Sequence, residues 1–198
     1  MNLRRSYTFF APVYDLVVAR ASARPRQASL ARLSGEKEVL IAGIGTGLDI
    51  PHLPRGPHYT GIDLTPAMLR AAKRRARERD DVRLQVGDVM ALPYADASFD
   101  AVVMHLILAV VPAPERALCE AMRVLRPGGR VLILDKFLRP GQRAPVRRTV
   151  NMISRRIATR TDVVFEQVLE CCPSLCLEHD EPALARGWFR RIELRKCR

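Results

Sequence analysis

The most constraining feature of the chain is a strand, a glycine turn, a second strand and a carboxylate between residues 39 and 63. A short apolar run, VLIA, leads into Gly43-Ile44-Gly45-Thr46-Gly47, and a second apolar run ends at Asp63. Alternate glycines let a backbone approach a ligand without an intervening Cβ, and a carboxylate ending the next parallel strand can accept both hydroxyls of a ribose. The arrangement therefore predicts a site for a nucleotide cofactor.

The glycine spacing indicates which kind of nucleotide. A dinucleotide-binding turn needs its third glycine three positions after the second, where this chain has Leu48. The third glycine comes earlier, at Gly47. This favours a cofactor that lacks a pyrophosphate, and a tight turn with no ligand is the alternative.

Composition predicts one domain in a reducing compartment. The chain has 198 residues, of which 48% are hydrophobic, and no apolar run approaches the ~18 residues that cross a bilayer. The first ten residues contain arginines but no apolar segment followed by a cleavage site, so a cytoplasmic location is expected. Five cysteines form no regular framework.

A cluster of three of these cysteines and a histidine lacks the paired spacing of a zinc site. Its members are Cys171, Cys172, Cys176 and His179. We expect packing residues here and no metal.

Positive charge is concentrated in two segments. The net charge is +12; residues 1–34 contain six arginines and one aspartate, and residues 139–160 contain seven arginines and no acid. We predict a basic helical lead-in over residues 1–34 that covers the cofactor site, and a single domain over residues 35–198 with a basic insertion at 139–160. Apolar residues of the insertion recur at helical intervals, as in a helix that lies in a membrane interface. Packing on the sheet and binding to RNA phosphates are the alternatives.

Hydrophobic periodicity predicts alternating strands and helices, which is typical of an α/β fold. Thr65 followed by Pro66 is an N-cap with proline at the first helical position. The predicted strands cover residues 38–42, 59–63, 82–86, 99–106 and 130–137. The predicted helices cover residues 66–79, 114–125 and 162–169, and a closing β-hairpin covers 175–179 and 187–196.

Five motifs in this order resemble class I S-adenosylmethionine-dependent methyltransferases. They are VLIAGIGTG at 39–47, GIDL at 61–64, GDV at 87–89, SFD at 98–100 and VLRPGG at 124–129. The resemblance implies a Rossmann-like, seven-stranded, mostly parallel sheet with helices on both faces and an antiparallel last strand. It also implies S-adenosyl-L-methionine as the cofactor. Within the family, the chain is most similar to the branch that contains bacterial phosphatidylethanolamine N-methyltransferases and quinone C-methyltransferases. PVYD at 12–15, DKF at 135–137 and GWFRR at 187–191 resemble the phospholipid enzymes more closely.

The resemblance assigns roles to individual residues. The glycines of the turn wrap the methionine moiety, the carboxylate takes the ribose hydroxyls, and three further residues flank or read the adenine. In that order the cofactor-binding residues are Gly43, Gly45, Gly47, Asp63, Leu64, Asp88 and Val89. His105, at the end of the fourth strand, is a further cofactor-binding residue. For Asp88, a capping or strand-ending role is the alternative.

Two residues are the catalytic candidates. His105 ends the fourth strand, where cofactor and substrate meet, and Tyr14 of the lead-in covers the methionine end. A hydrogen-bonded histidine without proton transfer is an equal alternative to a general base for His105. Tyr14 and Tyr7 can also be aromatic anchors.

One position departs from the family pattern. Many class I enzymes place an acid two residues before the first glycine, where this chain has Ile41. Asp49 is a candidate replacement. The departure leaves open a degenerate protein that retains cofactor without turnover.

The segment after the fourth strand bears on the methyl acceptor. It reads HLILA at 105–109 and lacks the Asn/Asp-Pro-Pro-aromatic motif of enzymes that methylate base amines in DNA. Apolar residues there suit an amphiphilic acceptor, and with the basic segments they favour a phospholipid amine at an anionic membrane surface. The sequence thus predicts a cytoplasmic, peripheral membrane methyltransferase. The alternatives are a soluble enzyme for a quinone or another small molecule, and an RNA-associated or regulatory protein.

Overall fold

The computed structural model describes residues 20–138 and 163–197. The described part contains seven strands: β1 (Glu38–Ala42), β2 (His58–Asp63), β3 (Val82–Val86), β4 (Phe99–His105), β5 (Leu125–Lys136), β6 (Leu175–Leu184) and β7 (Phe189–Lys196). Its α-helices are α1 (20–30), α2 (Pro66–Arg75), α3 (Pro114–Val124) and α4 (Phe165–Glu170). Short 3₁₀ turns cover Ala31–Leu33, Ile50–His52 and Ala185–Gly187.

All seven strands form one sheet in the order β3-β2-β1-β4-β5-β7-β6. Neighbours among β1 to β5 are parallel, and β7 runs antiparallel to both β5 and β6. The predicted seven-stranded, mostly parallel sheet with an antiparallel last strand is confirmed. Because β1 lies between β2 and β4, the chain reverses its direction of winding beside β1, which is where open α/β sheets bind ligands.

Each face of the sheet is covered by helices. On one face, side chains of β1, β4 and β5 pack against α1 and α2, with Leu30, Leu33, Leu69 and Ala72 among the helical contacts. On the other face, the alternate side chains of the same strands pack against α3 and α4, including Leu118, Ala121, Phe165 and Val168. A strand buried on both faces must be apolar throughout, and β4 is buried from Ala101 to His105.

The strands β1 and β3 have the predicted bounds. The other elements differ from their predicted bounds at one or both ends, and three of them differ by four residues or more at one end. Helix α2 ends at Arg75 rather than at residue 79. The Ala76 N–H, just after this end, donates to the Ala72 carbonyl. Strand β5 begins at Leu125, because the Pro-Gly-Gly segment forms an irregularity inside the strand rather than a turn before it. Strand β6 continues to Leu184 and includes Pro182, which an edge strand tolerates because one side of its backbone has no partner strand.

A disulfide between Cys176 and Cys197 differs from the expectation of reduced packing cysteines. In the β6–β7 ladder Cys176 lies opposite Arg195, so position 197 comes within reach of it. Cys119 and Cys172 are unbridged, and their sulfurs lie 2.8 Å apart. Sequence spacing predicts neither the disulfide nor the contact between Cys119 and Cys172, because both depend on how distant elements pack together.

No helix in the described part of the chain is long and apolar enough to cross a membrane.

Candidate cofactor and methyl-transfer site

The glycine turn lies at the carboxyl end of β1. All three glycines have positive φ, at 78° for Gly43, 55° for Gly45 and 85° for Gly47. The turn is fixed to β2 because the N–H groups of Gly43 and Ile44 both donate to the Ile62 carbonyl, at 2.9 and 3.0 Å. The backbone conformation therefore requires glycine or a strained residue at each of the three positions.

The three glycines differ in the space that a side chain would find around them. A Cβ at Gly43 would lie 2.6 Å from the Ile107 side chain, and one at Gly47 would lie 3.0 Å from the Ala72 backbone. A Cβ at Gly45 would meet no atom within 4 Å. Two glycines thus permit close packing within the protein, while Gly45 leaves bare backbone beside open space.

Asp63 ends β2 and faces the turn. One carboxylate oxygen accepts the Gly45 N–H at 3.0 Å, and the other accepts the Thr65 N–H at 2.8 Å. Burial raises the pKa of Asp63, and these hydrogen bonds offset part of that effect. Each carboxylate oxygen can accept more than one hydrogen bond, so the half-buried group retains capacity for a diol.

Leu64 and Val86 give this end of the sheet an apolar surface. Leu64 is 46% exposed and Val86 is 53% exposed, although both are large aliphatic residues. Val86 pairs in register with Asp63, the residue before Leu64. Exposed aliphatic side chains beside the Asp63 carboxylate suit the flat face of a nucleobase.

Asp88 and Val89 follow β3. An Asp88 carboxylate oxygen accepts the Met90 N–H at 2.8 Å, and its carbonyl accepts the Ala91 N–H at 3.1 Å. Asp88 therefore holds a turn, which is the alternative role considered for it. The Val89 side chain is buried in the core, so only its backbone is available to an adenine edge.

His105, predicted as a cofactor-binding and catalytic residue, is enclosed by protein side chains. Its side chain is completely buried, with Nδ1 lying 2.7 Å from Asp49 Oδ1 and Nε2 lying 3.0 Å from Ser29 Oγ. An ionised carboxylate can only accept, so Nδ1 carries a proton that it donates to Asp49. With both ring nitrogens engaged, the geometry is that of the hydrogen-bonded alternative and suits an orienting role better than proton transfer.

Arg26 joins α1 to the same buried cluster. Its guanidinium donates to Asp49 Oδ1 at 2.6 Å and to Ser22 Oγ at 3.0 Å, and Arg26 is 5% exposed. Burial acts to raise the pKa of Asp49, but the charges of His105 and Arg26 outweigh it and hold that pKa well below its usual range. We name Ser22, Arg26, Ser29, Asp49 and His105 the buried polar cluster.

The buried polar cluster bears on the missing acid before the turn. Ile41 is buried in the core between β2 and β4. Asp49, the candidate replacement, follows the turn, but its Oδ1 is already bound to Arg26 and His105. The carboxylate therefore anchors α1 and β4 to the turn. Sequence reasoning missed Arg26 and Ser29 because Arg26 belongs to a basic segment that reads as surface charge.

The loop after β4 was expected to line an acceptor pocket. Leu108 and Ala109 are instead buried in the core, which is a correction, and Leu106 and Ile107 keep partial exposure. Leu106 has a positive φ of 58°. Only the first part of the loop can contact a ligand.

Asp135, at the end of β5, fixes this loop. Its two carboxylate oxygens accept the Ala109 N–H at 3.0 Å and the Lys136 N–H at 2.8 Å. Asp135 is fully buried, and burial raises its pKa to about 6, against the opposing effect of those hydrogen bonds. The sequence showed Asp135 only as part of a motif and gave no signal of this tether.

Several predicted features lie outside the described residues. They are Tyr7, Tyr14, the first part of the lead-in and the whole of the basic insertion. The described part of the lead-in is α1, which contacts the turn region through Arg26 and the end of β4 through Ser29.

Comparisons with known proteins find a matching family model and related enzymes. The model of the methyltransferase domain family matches residues 40–133. A phosphatidylethanolamine N-methyltransferase from Cereibacter sphaeroides is 34% identical over 197 residues, which is 97% of this chain and 96% of that protein. A demethylmenaquinone methyltransferase from Tropheryma whipplei is 32% identical, covering 80% of this chain and 71% of that protein.

A solved structure has the same fold. Geranyl diphosphate methyltransferase, in complex with geranyl diphosphate and sinefungin, has a TM-score of 0.74 and 18% identity, covering 89% of this chain and 78% of that chain.

Proposed function

The chain belongs to the class I S-adenosylmethionine-dependent methyltransferases, and from that premise we propose that it methylates the amine of a phospholipid or a similar amphiphile at a membrane surface. The single observation that carries the choice of acceptor is the similarity, over nearly the whole of both chains, to the Cereibacter phosphatidylethanolamine N-methyltransferase. Its substrate is an aminophospholipid by name. The enzyme class and the cofactor do not depend on this choice.

The residues at the carboxyl ends of β1 and β2 fit S-adenosylmethionine. Bare backbone at Gly45 would admit the methionine moiety, Asp63 would accept the ribose hydroxyls, and Leu64 would cover one face of the adenine. When bound, the cofactor supplies a methyl group on a positively charged sulfur, which is already an activated electrophile. The chain's contribution is then to hold acceptor and donor in line and to exclude water, which can lower a barrier by ~7 to 11 kcal/mol.

In this proposal, the buried polar cluster holds the elements around the site in fixed positions. Asp49 bridges Arg26 of α1 and His105 of β4 through one oxygen, so the turn, the helix and the strand end are held together. Asp135 likewise holds the loop of Leu106 and Ile107 against β5. His105 acts as an orienter of the site wall, and the proton of an ammonium acceptor is lost to solvent or to a group outside the described residues.

Membrane attachment rests on the basic insertion, residues 139–160. Seven arginines at ~1 kcal/mol each near an anionic leaflet could retain the enzyme there, even if only half of them reach it. The test is sedimentation of the full chain with vesicles. Binding to vesicles that contain phosphatidylglycerol and not to neutral ones supports the attachment, whereas equal binding to both contradicts it.

The acceptor is tested by methyl transfer from labelled S-adenosylmethionine. Purified protein is incubated with vesicles of phosphatidylglycerol that contain either phosphatidylethanolamine or phosphatidylcholine, which has no methylatable amine. Label in the lipid fraction only with phosphatidylethanolamine supports the proposal. RNA is added in a parallel incubation. Label in RNA alone, or in no acceptor despite tight cofactor binding, contradicts the proposal and favours the RNA-associated or regulatory alternative.

A quinone C-methyltransferase is the second candidate. The similarity to the Tropheryma demethylmenaquinone methyltransferase favours it, but that similarity covers less of both proteins. Incubation with reduced demethylmenaquinone in place of the aminophospholipid separates the two. Transfer to the quinol and none to the lipid amine would select this candidate.

A further inference from the structure

A cationic cleft lies between α1 and the turn that joins β6 to β7. Its volume is about 410 Å³, within the usual range for small-molecule sites. Three arginines line it, Arg20 and Arg24 from the helix and Arg191 from β7. Its apolar lining consists of Ala21, Pro25, Ala28, Pro182, Ala183 and Leu184.

The helical arginines are available to a ligand. Arg20 and Arg24 are exposed and lie one helical turn apart, so they share a face of α1. Within the described part of the chain, no ion pair involves either of them. Arg191 pairs with Glu181, which leaves the cleft with a net positive charge.

The register of the sheet gives the distance from this cleft to the end of β4. His105 pairs with Leu134 on β5, and Leu134 pairs with Arg191 on β7. Two strand spacings separate His105 from Arg191, which is about 10 Å between their Cα atoms.

Both side chains also lie on the face that α1 covers. His105 contacts Ser29 of α1, and Arg191 lines the cleft together with Arg24 of α1. The cleft is therefore on the same side of the sheet as the end of β4.

From these observations we propose that Arg20, Arg24 and Arg191 bind the phosphodiester of the methyl acceptor. Guanidinium groups bind phosphate oxygens through paired, charge-assisted hydrogen bonds. The apolar wall formed by Pro182 and Leu184 then contacts the glycerol and the start of the acyl chains, and the amine extends along the sheet toward the end of β4. This inference rests on the proposed function, because it assigns a part of the same acceptor.

A binding experiment tests the cleft separately from turnover. Dihexanoyl phosphatidylethanolamine, below its micelle concentration, is titrated by calorimetry into the full chain saturated with S-adenosylhomocysteine. The Arg20→Gln/Arg24→Gln variant is compared with the matched control Arg70→Gln/Arg74→Gln. Arg70 and Arg74 are exposed on α2 at the same spacing.

The cleft variant should bind the short-chain lipid at least tenfold more weakly than wild type, and its KM should rise by a similar factor. Its affinity for S-adenosylhomocysteine should be unchanged, and the control should match wild type in both. Inorganic phosphate should bind much more weakly than the lipid, because it lacks the groups that contact the apolar wall. Phosphate affinity equal to that of the lipid would assign the cleft to free phosphate and overturn the lipid assignment.

The two proposals fail in different ways. Methylation of the lipid with an unchanged KM and affinity in the cleft variant overturns the cleft and leaves the function standing. Binding of the lipid that depends on Arg20 and Arg24, without methyl transfer from wild type, overturns the function and supports the cleft. Equal losses in the cleft variant and its control would mean that total charge acts rather than this site, which also overturns the cleft.

Discussion

Replacement of Gly45 by alanine tests whether a ligand occupies the space beside this residue, provided that the effect of backbone strain is measured separately. The φ of 55° at Gly45 lies in the left-handed region, where an alanine costs roughly 1–2 kcal/mol. The new Cβ would meet no protein atom within 4 Å, so no steric clash adds to that cost. The same Cβ would project into the space that the proposal gives to the methionine moiety.

Gly128 provides the matched control. It has a φ of 77°, and a Cβ there also meets nothing within 4 Å. Gly128 lies beside the start of β4, and the proposed site lies at the opposite ends of the strands. Gly128→Ala should therefore cost at least as much stability as Gly45→Ala, because its φ is farther from the left-handed values that alanine can adopt.

The two variants should lose similar thermal stability, about 2–8 °C for roughly 1–2 kcal/mol in a chain of this size. Calorimetric titration should then show that Gly45→Ala binds S-adenosylhomocysteine at least tenfold more weakly, about 1.4 kcal/mol, while Gly128→Ala binds it like wild type. Wild-type affinity in Gly45→Ala would refute the reasoning, because it would mean that the ligand does not pass this backbone. Equal weakening in both variants would refute it too, since strain alone would then explain the loss.

Two further predictions concern groups that support the site. Asp135→Asn should remove a dependence of the free energy of unfolding on pH. Because burial raises the pKa of Asp135 to about 6, ionisation of this group in the folded protein lowers the free energy of unfolding as pH rises from about 4 to 6. Urea denaturation should show the stability of wild type falling relative to Asp135→Asn by about 2 kcal/mol between pH 4 and pH 7, and a constant difference would contradict the assignment. Arg26→Met should cost about 3–5 kcal/mol, because it leaves Asp49 buried with one partner fewer, whereas Arg24→Met, on the exposed face of the same helix, should change stability by less than about 0.5 kcal/mol. Equal effects of the two methionine variants in urea would show that the buried pair is not formed.

The strands could be predicted because their signal is local. Strand β1 is a continuous apolar run followed by glycine, and Thr65-Pro66 marks the start of α2 whatever surrounds it. The start of β5 could not be predicted. Its glycines resemble a helix stop, and only the pairing with β4 keeps the segment in the sheet as an irregularity.

The candidate site divides in the same way. The glycine turn and the position of Asp63 at a strand end could be predicted, because their spacing follows from the shape of the turn and the strand. The roles of Arg26 and His105 depend on α1 crossing the ends of β1 and β4, and no local pattern distinguishes a buried arginine from an exposed one. The disulfide between Cys176 and Cys197 likewise follows from hairpin register.

The central claim is that the glycine turn and Asp63 together bind the adenosyl donor, and titration of S-adenosylhomocysteine into Asp63→Ala tests it most directly. Asp100→Ala is the control, because Asp100 also accepts two backbone N–H groups, those of Lys37 and Glu38, at the opposite edge of the sheet. Loss of charge-assisted bonds to the ribose should weaken binding by about 1.5 to 3 kcal/mol in Asp63→Ala, roughly 10- to 150-fold, and leave Asp100→Ala at wild-type affinity. Undiminished binding by a folded Asp63→Ala protein would contradict the claim.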